Sequence, residues 1–264
     1  MNTKYPLVLV HGVAVRDTFF MKSFGYVDRM LRIQGYTVYK SKVDGFGTVE
    51  NNAAILKAEI EDILAETHAK KVNIIAHSKG GLDARHMLEH MDMAKSVATL
   101  TTLCTPHMGS PIASLFMRLP KWIARVVAFF MDAMFRILGD RNPDSYTVCR
   151  ELMRVPVSEQ AVVKPIPGVF CQSFSSALRK GDKKADFLMQ IPYMISRLVE
   201  KTSDTDTDGL VPRDSARFGK YRGDCIDDSA GHAEIADFFV SGKKHDRILA
   251  FWSALCEELV EMGY

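Results

Sequence analysis

Ile74-Ile75-Ala76-His77-Ser78-Lys79-Gly80-Gly81-Leu82-Asp83 is the stretch that decides how this chain folds. A short apolar run stops at a serine, and a helix-compatible stretch follows at once. Strand, sharp turn and helix in that order present a serine hydroxyl at the end of a strand. Such a turn is strained, and strand and helix approach closely only if the residues two before and two after the serine are small. Ala76 and Gly80 meet that requirement. A helix starting behind Ser78 would aim backbone N–H groups at negative charge developing there, which makes the N–H of Lys79 a predicted oxyanion donor.

Working outward, residues 7–10, 37–43, 72–76, 97–103 and 169–174 are short apolar or β-branched runs, each followed within a few residues by Gly, Ser, Pro or His. They read as buried strands ending at a common edge. Between them, residues 24–34, 52–70 and 81–90 carry helical spacing. Alternating strands and helices predict an α/β fold, a mainly parallel sheet with helices on both faces, whose ligands bind beyond the carboxyl ends of the strands. With 264 residues and 47% hydrophobic composition, one domain spanning 1–264 can bury the core without staples.

The stretch from about 109 to 165 breaks the rhythm with a long helical insertion. Stepped at about 100° per residue, Lys121, Arg125, Asp132 and Arg136 share one narrow stripe. The rest of that helix is apolar and includes Trp122, Val126, Phe129 and Phe130. It is too charged to span a membrane and too apolar for an ordinary surface helix. A lid over an apolar cleft fits this pattern, with a core or dimer helix as the alternative.

Chemistry at Ser78 needs partners. His11-Gly12-Val13 directly follows the first predicted strand, so the backbone can turn at Gly12 and the N–H of Val13 can serve as a second oxyanion donor. Asp208, in Thr207-Asp208-Gly209-Leu210-Val211-Pro212, is placed after the last predicted strand and can orient an imidazole. Asp204 and Asp206 compete in the same loop, but only Asp208 carries the Gly-Leu-Val-Pro tail. His232, in Ala230-Gly231-His232-Ala233-Glu234, then completes the order Ser, Asp, His used by α/β-hydrolases. His245 is the alternative base, although Lys243, Lys244 and Asp246 around it favour a solvated ring.

Together these segments resemble the bacterial triacylglycerol lipases of the Pseudomonas, Burkholderia and Proteus group. The resemblance rests on residues 4–12, 71–82, Thr105-Pro-His-Met-Gly-Ser110, Asp208-Gly-Leu-Val211 and Gly231-His-Ala-Glu234. It implies an α/β-hydrolase fold with a helical lid, Val13 and Lys79 as oxyanion residues, and a lipid or ester substrate met at an oil–water interface. It also implies a structural calcium near the histidine, for which Glu234 and Asp186 stand by position, the latter with irregular spacing. Ala76 replaces the usual Gly, Lys79 replaces Gln or His, and Asp214 stands where some members have a cysteine.

The implied reaction is hydrolysis of a carboxylic ester through an acyl-enzyme, with no cofactor required for the chemistry. Phospholipids, thioesters and short soluble esters are alternative substrates, and an inert lipid- or partner-binding protein is the alternative of another class. A net charge of +2, with 34 basic and 32 acidic residues mixed along the chain, argues against nucleic acid. Five widely spaced cysteines without a CxxC pair read as packed thiols. No secretory signal precedes residue 7, so the expected location is cytoplasmic, with export lacking a cleaved signal as the alternative.

Overall fold

The computed structural model describes residues 2–13, 22–155, 163–179, 189–200 and 206–264. Among these, strands β1 (Leu7–Val10), β2 (Val38–Lys40), β3 (Val72–His77), β4 (Val97–Leu103), β5 (Phe170–Ser175) and β6 (Lys220–Asp224) form one sheet. Their order is β2-β1-β3-β4-β5-β6, with every neighbouring pair parallel. Parallel pairing requires crossovers, supplied here in part by α1 (Val27–Ile33), α2 (Val49–Thr67) and α3 (Gly80–His90). The remaining helices are α4 (Pro111–Met117), α5 (Lys121–Ile137), α6 (Ser145–Glu151), α7 (Gln190–Glu200) and α8 (Gly242–Glu261).

Side chains alternate across a strand, and a sheet covered on both faces must be apolar at both parities. In β1, Leu7 and Leu9 pack with Val27, Leu31, Trp252 and Leu255, while Val8 and Val10 pack with Leu56, Ile60, Ala84 and Met87. The first core is closed by α8, where buried Trp252 donates its indole N–H to the Ile235 carbonyl at 2.9 Å.

Three features differ from the sequence-based expectation. The predicted strand at 37–43 contracts to Val38–Lys40. Asp208 does not follow the last strand, because β6 lies beyond it. His245 is not simply solvated: it is the fourth residue of α8, and its Nε2 lies 3.0 Å from Asp237 Oδ1.

Between β4 and β5 the chain forms α4, α5 and α6. The inward edge of α5 is Ala124, Ala128 and Phe135, with Phe135 packed on Phe46 at 4.4 Å between ring centres. Paired carboxylates clamp the C-terminal end of that helix. Asp140 accepts from the N–H groups of Gly45 and Phe46 (2.9 and 2.8 Å), and Asp44 accepts from those of Arg141 and Asn142 (3.0 and 2.8 Å).

Candidate active site

Ser78 leaves β3 in the left-handed region, φ 56°, as a nucleophile elbow requires. Its backbone is held at both ends: the Ser78 N–H donates to Leu103 O at 2.9 Å, and Thr105 Oγ donates to Ser78 O at 2.8 Å. The small-residue requirement is visible in space. A Cβ on Gly80 would lie 2.5 Å from the His11 carbonyl oxygen, and one on Gly81 would lie 2.1 Å from Thr105 Oγ1.

The imidazole of His232 bridges the other two predicted partners. Its Nε2 is 2.7 Å from Ser78 Oγ and its Nδ1 is 2.7 Å from Asp208 Oδ2. All three residues are buried. Asp208 cannot swing away, because Oδ1 accepts from the N–H groups of Leu210 (3.0 Å) and Val211 (2.8 Å), the residues of the tail that distinguished it. The His232 loop is pinned in turn, its own N–H donating to Asp208 O at 2.9 Å. With Nδ1–H donated to the carboxylate, Nε2 is the acceptor for the serine hydroxyl. Asp206 lies outside this constellation and pairs with Arg213; Asp204 falls outside the described residues.

Gly12 is pressed against the elbow. A Cβ there would lie 2.4 Å from Ser78 Cβ and 2.8 Å from Lys79 N, so the predicted oxyanion donor at 79 borders the loop after β1. Val13 follows as the last described residue of that loop and is exposed. Gly12→Ala is expected to lower kcat for a soluble ester by about 100-fold or more, the range seen on losing one oxyanion donor, because the added methyl must displace the elbow. Steady-state kinetics beside a thermal melt checks this, and wild-type turnover would refute it.

Several neighbours escaped the sequence reading. His77, the residue before the serine, donates Nε2–H to His232 O at 2.9 Å, with the two rings 4.7 Å apart. Burial, then the nearby His232, holds its pKa well below 6.5. The Lys79 ammonium is spent on Asp83, at 2.8 and 3.0 Å, and both side chains are buried. Burial pushes the Asp83 carboxyl up from 3.8 to about 6, against the lowering effect of Lys79 and Asn52. The i,i+4 spacing of Lys79 and Asp83 was the available signal. Cys104, with φ 52°, places its thiol within 4.8 Å of ligand atoms of Asp208 and His232, and burial raises its pKa well above 9.0.

These groups set a pH dependence of stability. His77 and His107 are both held well below 6.5, chiefly by burial, so on unfolding they gain protons they lack in the fold. Stability therefore falls as pH drops below about 6.5. Asp83 acts oppositely, binding its proton first in the folded state and adding stability as pH falls from about 6 towards 3.8. Two histidines outweigh one carboxyl. Tm is expected to drop between pH 7 and pH 5, at up to about 1.4 kcal/mol per pH unit for each uncompensated histidine. Differential scanning fluorimetry showing a flat or rising Tm would contradict this.

Of the two residues implied for calcium, Glu234 is engaged by protein groups. Both Glu234 oxygens lie within 3.1 Å of Lys244 Nζ, and Oε2 also accepts from Gly231 N–H at 2.8 Å. Its charge is already offset by Lys244, and Asp186 lies outside the described residues. The four predicted lid residues, Trp122, Val126, Phe129 and Phe130, are exposed.

A six-stranded parallel sheet with a serine, histidine and aspartate hydrogen-bonded at its carboxyl edge defines an α/β-hydrolase. The profile of the palmitoyl protein thioesterase family matches residues 6–134. The chain is 36% identical over 269 aligned positions to triacylglycerol lipase 2 of Saccharomyces cerevisiae, covering 90% of this chain and 73% of that protein. It is 38% identical over 116 residues to a triacylglycerol lipase of Vibrio cholerae, covering 43% of this chain and 36% of the relative. The bacterial curated relatives are thus matched over about a third of their length, 36% and 32% in the Vibrio cholerae and Burkholderia plantarii lipases. Among solved structures, Staphylococcus hyicus lipase superposes with a TM-score of 0.68 at 13% identity, covering 98% of this chain and 96% of that one. This chain belongs to the triacylglycerol lipase family.

Proposed function

We propose that the protein is a serine hydrolase that cleaves carboxylic esters of lipids, with triacylglycerol as the substrate class. The observation that carries this is the His232 imidazole, 2.7 Å from both Ser78 Oγ and Asp208 Oδ2. In this reading Ser78 attacks the ester carbonyl and His232 takes its proton. The resulting imidazolium is stabilised by Asp208 and returns the proton to the leaving alcohol. The N–H groups of Val13 and Lys79 receive the oxyanion, and water then releases the acyl group by the reverse sequence. The stretch from about 109 to 165 acts as the cap over the acyl-chain site, with α5 as its lid. Substrate comes from a lipid phase; among the described residues no helix is long and apolar enough to cross a membrane.

The test is turnover of p-nitrophenyl esters from acetate to palmitate, together with labelling by a fluorophosphonate. Turnover and Ser78-dependent labelling are expected; absence of both would leave an inert binding protein. The thioesterase profile over residues 6–134 supports a second reading, in which the same site cleaves thioesters. A higher kcat/KM on palmitoyl-coenzyme A than on p-nitrophenyl palmitate would decide for it.

A further inference from the structure

Helix α5 turns its apolar side to solvent. Trp122, Phe129, Phe130 and Ile137 are 71%, 65%, 66% and 86% exposed. At 100° per residue these four lie within a sector of about 100°, and Lys121, Arg125 and Arg136 lie along one edge of it. All three cations are exposed. Asp132 shares that edge, but its Oδ1 is engaged by the N–H of Ser145 at 2.7 Å. Between residues 118 and 141 there are five cations against two carboxylates, whereas the entire chain carries only +2. The segment with these exposed apolar side chains thus carries a net charge of +3. α4 packs against both α5 and α7, and α7 exposes Ile191, Met194 and Leu198 as a second apolar ridge.

We propose that α5 is an in-plane docking helix for a bilayer carrying anionic headgroups. An apolar sector bordered by a row of cations lets a helix sink its rings into the acyl boundary while Lys and Arg stay at phosphate level. A neutral oil droplet matches the apolar sector but gives the cationic edge no partner. The inference builds on the lipid-ester reading, and it locates the substrate phase at an anionic membrane surface.

The two tryptophans provide the probe, since Trp122 is exposed and Trp252 is fully buried. The whole chain is mixed with vesicles of phosphatidylcholine alone, or with about 30 mol% phosphatidylglycerol. A blue shift of Trp122 emission and co-sedimentation are expected with the anionic vesicles, at about 100-fold higher affinity than with the neutral ones, weakening as salt rises. Lys121→Gln, Arg125→Gln and Arg136→Gln combined should abolish that preference while binding to the neutral vesicles and the melting temperature stay at their wild-type values. Phe129→Ser with Phe130→Ser should lose binding to both kinds of vesicle.

Equal affinity for the two vesicles, binding to neither, stronger adsorption to neutral triacylglycerol droplets, or a dimer that shields Trp122 in sedimentation would each overturn the proposal. Anionic binding without any ester turnover would sustain docking and remove the hydrolase reading. Turnover without anionic binding would do the reverse.

Discussion

Ser78→Ala is expected to lower kcat/KM for p-nitrophenyl butyrate by about five orders of magnitude or more, with the melting temperature little changed. The hydroxyl is the only group at that position able both to attack a carbonyl and to pass its proton to Nε2 of His232, 2.7 Å away. Its removal leaves the elbow intact, because the turn is held through the Ser78 backbone, whose N–H donates to Leu103 O and whose carbonyl accepts from Thr105 Oγ. Alanine also fits the space of serine, although at φ 56° it retains the local strain. Residual turnover would come from the oxyanion site and binding alone. Retention of more than a tenth of the wild-type rate would remove Ser78 from the mechanism, and loss of fluorophosphonate labelling in the same variant provides an independent readout.

Asp208→Asn should cost about 10⁴-fold in kcat, for a reason specific to this hydrogen-bond network. Oδ1 of Asp208 accepts from two backbone N–H groups, those of Leu210 and Val211, so an asparagine must keep its carbonyl oxygen there. Its NH₂ then faces Nδ1 of His232, where the carboxylate oxygen had been 2.7 Å away. Nδ1 is forced to become an acceptor, the ring proton moves to Nε2, and Nε2 can no longer take the proton of Ser78. Folding is preserved, since the backbone bond from His232 N to Asp208 O is untouched. Asp206→Asn serves as the control and should stay within a few-fold of wild type, because that side chain pairs with Arg213 instead. A fall of less than 10-fold in Asp208→Asn would mean that another group orients the imidazole.

The strands that were legible in the sequence are those buried on both faces. β1, β3, β4 and β5 each read as a run of apolar or small residues, because helices on either side leave neither parity wet. β6 was missed for the complementary reason. Lys220-Tyr-Arg-Gly-Asp224 lies at the sheet edge with its side chains partly or fully exposed, so it carries none of that pattern. The site divides along the same line. Ser78 was legible because an elbow is a local object, written within a few residues on either side. Asp208 and His232 emerged from their order along the chain and from the tail that now feeds two N–H groups to the carboxylate. The bond from His77 to the His232 carbonyl, and the approach of Cys104 to the triad, join residues far apart in sequence and have no local signature.

The amino-acid sequence on its own determined the α/β class, the elbow and the identity of three side chains that meet at one edge, since each depends on periodicity or on a turn that only small residues permit. Tertiary structure alone decided which way α5 faces. A wide apolar sector fits a cleft or open solvent equally well by pattern, and the choice fell to Ala124, Ala128 and Phe135, which pack inward and leave Trp122, Phe129 and Phe130 outside. It also decided the fate of Lys79, whose charge is paired with Asp83 one helical turn away, because an ammonium buried at that depth requires a carboxylate within reach.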